Sequence, residues 1–148
     1  NQTLDSSRTM TLDSVRVELL YFGPAHTSGD LIVFLPDQRI AFVGDLVFVG
    51  RDPLVHRQKN GSAAGLVQAM QKMLALDADT YLAGHTDPLT KAGVKTALAS
   101  LEERRARVRA LMREGKSLDE IKSAMGVAAG GRFPSLVEVI YQEILEER

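Results

Sequence analysis

The chain has 148 residues, 45% of them hydrophobic and 25% charged, and 18 Lys plus Arg offset 19 Asp plus Glu to a net charge of −1. One domain with a real core is expected at this size, and the even charge balance gives no case for nucleic acid or an anionic membrane as partner. The absence of cysteine excludes disulfides, thiolate–metal sites and Cys nucleophiles. No apolar run reaches bilayer-spanning length and no secretory leader core is evident, so a cytoplasmic location is the expectation. The first residue is Asn1, not Met, which fits a cut, processed or engineered piece.

Residues 8–48 read as strands. Val17, Leu19 and Tyr21 alternate with Arg16, Glu18 and Leu20, the period of a strand with a buried face. The apolar runs at residues 30–35 and 40–43, separated by Pro36-Asp37-Gln38-Arg39, predict a hairpin. An irregular polar segment then runs to Gly61. From Ser62 the period turns helical, with Leu66, Val67, Met70, Met73 and Leu74 on one face. Residues 77–80 break that pattern ahead of a short strand into His85. Thr90 caps a long helix whose stripe passes through Val94, Leu98, Leu101, Val108 and Leu111 and stops at Gly115. Ser117 with Glu120, and Ser135 with Glu138, have the spacing of capping boxes for two more helices, joined by a flexible connector at residues 128–131. No internal repeat is present.

Three residues stand at the ends of apolar runs beside a glycine or within a Gly-rich turn. His26 lies in Gly23-Pro24-Ala25-His26-Thr27-Ser28-Gly29-Asp30, Asp45 ends the run that closes on Gly44, and His85 follows Gly84. Two imidazoles and a carboxylate are a competent set for a hydrolytic metal, with positions left for water and substrate. Each alone reads better as a turn or capping residue; for the three together, from the chemistry alone, the metal site and the turn set stand even. Asp30 has two readings, a carboxylate that orients His26 or a turn residue. Residues 51–60, with Arg51, His56, Arg57 and Lys59, either meet an anionic substrate or form a solvated loop.

The Pro-Ala-His-Thr-Ser-Gly-Asp run, with Gly44-Asp45 and Gly84-His85 at these distances, resembles the C-terminal half of the metallo-β-lactamase superfamily over residues 10–90. The resemblance implies an α/β fold, half of a four-layer αββα sandwich, with strands at about 8–48 and 81–85 and helices after 62. It divides the chain into residues 1–90, a half-domain, and 91–148, a helical extension packed on it. It also implies that His26 completes one metal position, that Asp45 bridges two metals, and that His85 belongs to the second position. Zinc is the expected metal, with iron or manganese also suited to these ligands. The family's His-x-His-x-Asp-His motif is absent, because the chain has only His26, His56 and His85.

One half of such a sandwich leaves an apolar sheet face bare, so a partner is expected: the missing N-terminal half, or a second copy forming a homodimer. The implied activity is metal-assisted hydrolysis of a small-molecule ester, amide, thioester or phosphoester, with this chain alone inactive or weakly active. A catalytically inactive scaffold, or a dimerising half-domain lacking a full metal site, is the first alternative. The second is nucleic-acid binding through the helical tail, where the basic run at residues 104–109 is interleaved with acidic residues.

Overall fold

The structure, a computed structural model, describes residues 3, 4, 6–128 and 131–147. Six strands, β1 (Ser7–Leu12), β2 (Val15–Leu20), β3 (Ile32–Leu35), β4 (Ile40–Gly44), β5 (Thr80–Ala83) and β6 (Leu89–Thr90), form one sheet in sequence order. All neighbours are antiparallel except β4 and β5, which run parallel. A parallel pair needs a crossover, here α1 (Ala63–Leu74); α2 (Lys91–Arg113), α3 (Leu118–Ala124) and α4 (Leu136–Glu146) follow the sheet. The fold is thus the expected α/β arrangement, strands first and a helical C-terminal end. Among the described residues no helix is long and apolar enough to cross a membrane.

Alternation gives the sheet two faces. Ile32, Phe34, Ala41, Val43 and Tyr81 are buried in one apolar cluster with Leu66, Met70 and Met73 of α1, Val94 and Leu98 of α2, and Val137 and Ile140 of α4. The helices after residue 91 therefore share their core with the sheet. The other face carries Leu19, Val33, Phe42 and Leu82, placed side by side by the strand register. Phe42 is 42% exposed and the other three are half-buried, so this apolar row is uncovered.

The helix starts fall where the sequence places them. Ser62 accepts from the Gly65 N–H, Thr90 from Gly93, Ser117 from Glu120 and Ser135 from Glu138, the last two as complete capping boxes. Of the connector at residues 128–131, Ala129 and Gly130 lie outside the described residues. Two elements differ from the sequence reading. The segment before Val15 is a separate strand, joined to β2 through Asp13 and Ser14, both at positive φ (45° and 73°). Such a turn favours glycine, and a glycine-free Asp-Ser pair leaves little local signal. Leu89–Thr90 adds a strand too short to show a period.

The second capping box carries a pH signature. Glu138 accepts from Lys122 Nζ at 2.9 Å and from the Ser135 N–H and hydroxyl at 2.7 and 2.8 Å. Lys122 first, and then Ser135, hold its carboxyl down to about 2 from an ordinary 4.5. A folded value below the unfolded one means that this stabilisation is complete above pH 4.5 and is lost as pH falls toward 2. Glu138→Gln is expected to flatten that acid limb and to cost on the order of 1–2 kcal/mol at neutral pH. Urea melts at neutral pH and near pH 3 measure both effects, and equal losses at the two pH values would contradict the assignment.

Candidate metal centre

His26 is held by its own turn and by a strap that crosses it. Asp30 accepts from the Thr27 N–H and hydroxyl at 2.7 and 3.0 Å, fixing the backbone beside His26. The strap, residues 54–62, docks through His56 N–H to His26 O (2.8 Å), Ser28 N–H to Lys59 O (2.9 Å) and Ser62 N–H to Ala25 O (2.8 Å). A Cβ on Gly61 would overlap the His26 carbonyl, so only glycine lets the strap lie this close. Asp30 therefore acts on the turn, and the His26 ring takes a different partner: its Nδ1 lies 2.6 Å from the Leu54 carbonyl.

Asp45 and His85 leave the adjacent ends of the parallel pair. The β4–β5 register shifts between Phe42 and Gly44, Gly44 adopts φ +50°, and its carbonyl accepts from the Gly84 N–H at 2.8 Å. This irregularity turns the Asp45 side chain toward both histidines. Asp45 Oδ2 lies 3.5 Å from His26 Nε2, and Oδ1 lies 3.3 Å from His85 Nε2. Gly84 leaves room for this placement, because a Cβ there would meet Asp45 Oδ1 and push it aside. Gly84→Ala should displace that oxygen and separate Asp45 from His85 while leaving the fold intact. Weaker zinc uptake than the unsubstituted chain, with urea stability changed by less than about 1 kcal/mol, is the expected result.

His26 is almost fully buried at 8% exposure, whereas the His85 side chain is 54% exposed. Phe48 lies between them, its ring centroid 6.1 Å from His26 and 5.9 Å from His85, nearly parallel to the latter. His56, the remaining histidine, packs edge-on against His26 at 4.9 Å, with Phe133 edge-on behind it at 5.0 Å. Burial, and then the neighbouring His26, push the His56 imidazole below its ordinary value. All three histidines thus gather around one turn, two of them on Asp45. A local pattern shows neither His56 nor Phe133 there, since they arrive through the strap and the C-terminal segment.

The donor chemistry fits a metal. A carbonyl only accepts, so Nδ1 of His26 is the donor to Leu54 and Nε2 is the ring atom turned to Asp45 Oδ2, where it can ligate a metal. A divalent cation placed between them would take both as ligands. The 3.3 and 3.5 Å separations also match the roughly 3.3 Å between two ligands of one tetrahedral zinc with bonds near 2.0–2.1 Å. Each half of the Asp45 carboxylate is paired with one imidazole, and among the described residues no group of three or more His, Cys, Asp or Glu converges on one point. The chain thus brings together two pairs of donors, His26 with Asp45 and His85 with Asp45.

The flanking cations divide. Arg57 is engaged by Glu146 at 2.8 Å and faces Glu143 at 3.7 Å, while the Arg51 guanidinium lies over Phe48, 5.0 Å from its centroid. In the basic run, Arg104 bonds Asp52 at 2.7 Å and Arg109 bonds Glu147 at 3.0 Å.

Comparison with known proteins identifies the family. The sequence profile described as "Metallo-beta-lactamase superfamily" matches residues 3–85, more than half of the chain. The chain belongs to the metallo-beta-lactamase superfamily. Members of the superfamily are generally metal-dependent. A curated relative, the alpha subunit of 2,4-dinitroanisole O-demethylase from Nocardioides sp. (strain JS1661), is 29% identical over 76 residues, 51% of this chain and 23% of that protein. Among solved superfamily folds, a metallo-beta-lactamase family protein from Thermus thermophilus superposes with a TM-score of 0.69 at 20% identity, covering 97% of this chain and 48% of that one. The sec-alkylsulfatase Pisa1 from Pseudomonas sp. gives 0.67 at 17% identity, covering 97% and 26%. At such identities the structural matches speak to the fold. The chain spans half or less of the length of each of these relatives.

Proposed function

We propose that this chain is the C-terminal, metal-ligating half of a metal-dependent hydrolase, completed by an N-terminal half that carries the missing donors. The observation that carries the reading is Asp45, which aims one oxygen at each of two imidazoles and so offers two positions with two donors each. The uncovered row of Leu19, Val33, Phe42 and Leu82 supports it, because a second sheet would bury that face. An N-terminal half is preferred over a second copy because a copy brings no new type of ligand.

Divalent zinc, or iron or manganese, would supply Lewis acidity and an activated water near neutral pH. The residues of this chain do the holding. His26 keeps Nε2 as its donor by giving Nδ1–H to Leu54, and Asp45 ties the two positions together. His85 presents the solvent-exposed side, where a substrate would enter. The scissile bond is an ester, amide, thioester or phosphoester, and the curated relative named as an O-demethylase adds an aryl ether to that range.

Elemental analysis together with light scattering tests the reading. The chain alone should take up zinc weakly and associate at micromolar concentration. Mixing with a segment bearing His-x-His-x-Asp-His should give a one-to-one complex with tightly held metal and hydrolysis of a chromogenic ester. A monodisperse monomer that stays metal-free after such mixing would refute it. A complex that holds metal yet never turns over substrate would favour the inactive scaffold, which the two-donor count among the described residues also motivates. No observation of similar weight favours nucleic acid, since Arg104 and Arg109 are spent on carboxylates.

A further inference from the structure

Beside the centre, on the helix side of the sheet, lies a groove of about 870 Å³ bounded by residues 48–53 and by α1, α2, α3 and the start of α4. Its volume falls within the roughly 300–1,000 Å³ of small-molecule sites. Along α2 it extends from Gly93 to Arg107, about 21 Å at 1.5 Å per residue. The floor is apolar, formed by Met70, Leu101, Met125 and Leu136. Phe48 is the wall it shares with the centre, since the same ring lies against His85.

The polar groups of the groove are unequal. Arg104 and Asp52 neutralise each other at 2.7 Å. Arg51 lies over the Phe48 ring, and neither Arg51 nor Arg107 has a carboxylate within ion-pair distance among the described residues. Glu103 lies on the same wall. The groove therefore joins a long apolar floor to two unneutralised guanidiniums against one carboxylate, with the Arg51 end next to His85. An arginine free of a carboxylate and beside an apolar surface suits a planar or tetrahedral anion that also has an apolar body.

We infer that this groove binds an amphiphilic anion, an unbranched alkyl chain ending in a carboxylate or sulfate, with the chain along α2 and the head group at Arg51 and Arg107. This deepens the proposed hydrolase by naming the class of substrate or product it accommodates, and it rests on that reading only for the neighbouring chemistry. Groove binding itself requires no metal.

Calorimetric titration of the full chain with decanoate, decyl sulfate and decanol, each below its micelle-forming concentration, tests it. Decanoate and decyl sulfate should bind saturably, and decanol at least about tenfold more weakly, as expected for loss of a charge-assisted contact. The double substitution Arg51→Ala with Arg107→Ala should erase the difference between decanoate and decanol. Ser100→Trp, at an exposed α2 position on the groove wall, should block all binding while the circular dichroism and urea midpoint stay unchanged. The inference is overturned if decanol matches decanoate, if Ser100→Trp binds normally, or if no ligand binds. Metal content, measured on the same samples, reports separately on the hydrolase reading: a groove that binds decanoate in a chain whose reassembled complex never holds metal would sink that reading alone.

Discussion

Replacing Asp45 by Asn is expected to empty both metal positions at once. The substitution keeps shape and volume but removes the charge that faces His26 at 3.5 Å and His85 at 3.3 Å. Changes to a ligand's hydrogen-bond partner typically cost about 10–100-fold in metal affinity, and removing a ligand shared by two positions should exceed that in the reassembled enzyme. His26→Ala and His85→Ala should each empty one position and leave the other partly filled. Competition titration against a chelating dye, with elemental analysis of the same samples, distinguishes the three variants. If Asp45→Asn loses no more metal than His85→Ala, the shared role of Asp45 is wrong. Because Asn can occupy the same side-chain rotamer, an unchanged urea midpoint would show that the loss is one of ligation and not of folding.

The second large effect is on stability and lies far from the metal. Glu143 of α4, only 6% exposed, accepts from the N–H groups of Ala63 and Ala64 at 2.7 and 3.0 Å. These are the first residues of α1, where backbone donors lack partners within their own helix and the helix dipole favours an anion. Glu143 also lies 3.7 Å from Arg57, which bonds Glu146 one turn farther along α4. Glu143→Ala would leave one buried and one part-buried donor without an acceptor and should cost about 2–4 kcal/mol, a fall of roughly 5–15 °C in midpoint for a domain of this size. Glu143→Gln retains one acceptor oxygen and should lose about half as much. Chemical denaturation measures both. A loss below about 0.5 kcal/mol for the alanine variant would show that α4 does not lock α1.

The contrast between these residues explains what the sequence discloses. His26, Asp45 and His85 were legible because each closes an apolar run beside or among glycines, a local pattern with a chemical meaning. The helix starts at Ser62, Thr90, Ser117 and Ser135 were legible for the same reason, as capping spans only three residues. Glu143 was not, because its partners lie 80 and 79 residues away, and nothing in its own helical period separates a cap for another helix from a solvated face. His56 and Phe133 likewise reach the centre from distant parts of the chain. Asp30 shows the limit from the other side: a carboxylate near a candidate ligand looks like its orienting group, yet the bond to the ring comes from Leu54, whose backbone carbonyl no side-chain pattern advertises.

The parallel pairing of β4 with β5 has a consequence for the time course of folding. Every other strand pair is joined through a short connection, the longest being residues 21–31, whereas β4 and β5 meet only after residues 45–79 have been laid down as strap and crossover helix. Closing a longer loop costs more entropy and slows the step that depends on it. That same closure sets Gly84 against Gly44 and brings His85 to Asp45. The hairpins β1–β2 and β3–β4 can therefore form early without creating any binding capacity, and competence for metal should appear only with the slowest conformational phase of refolding. Stopped-flow refolding in the presence of a zinc-responsive dye would show the dye signal lagging the first rise in strand content.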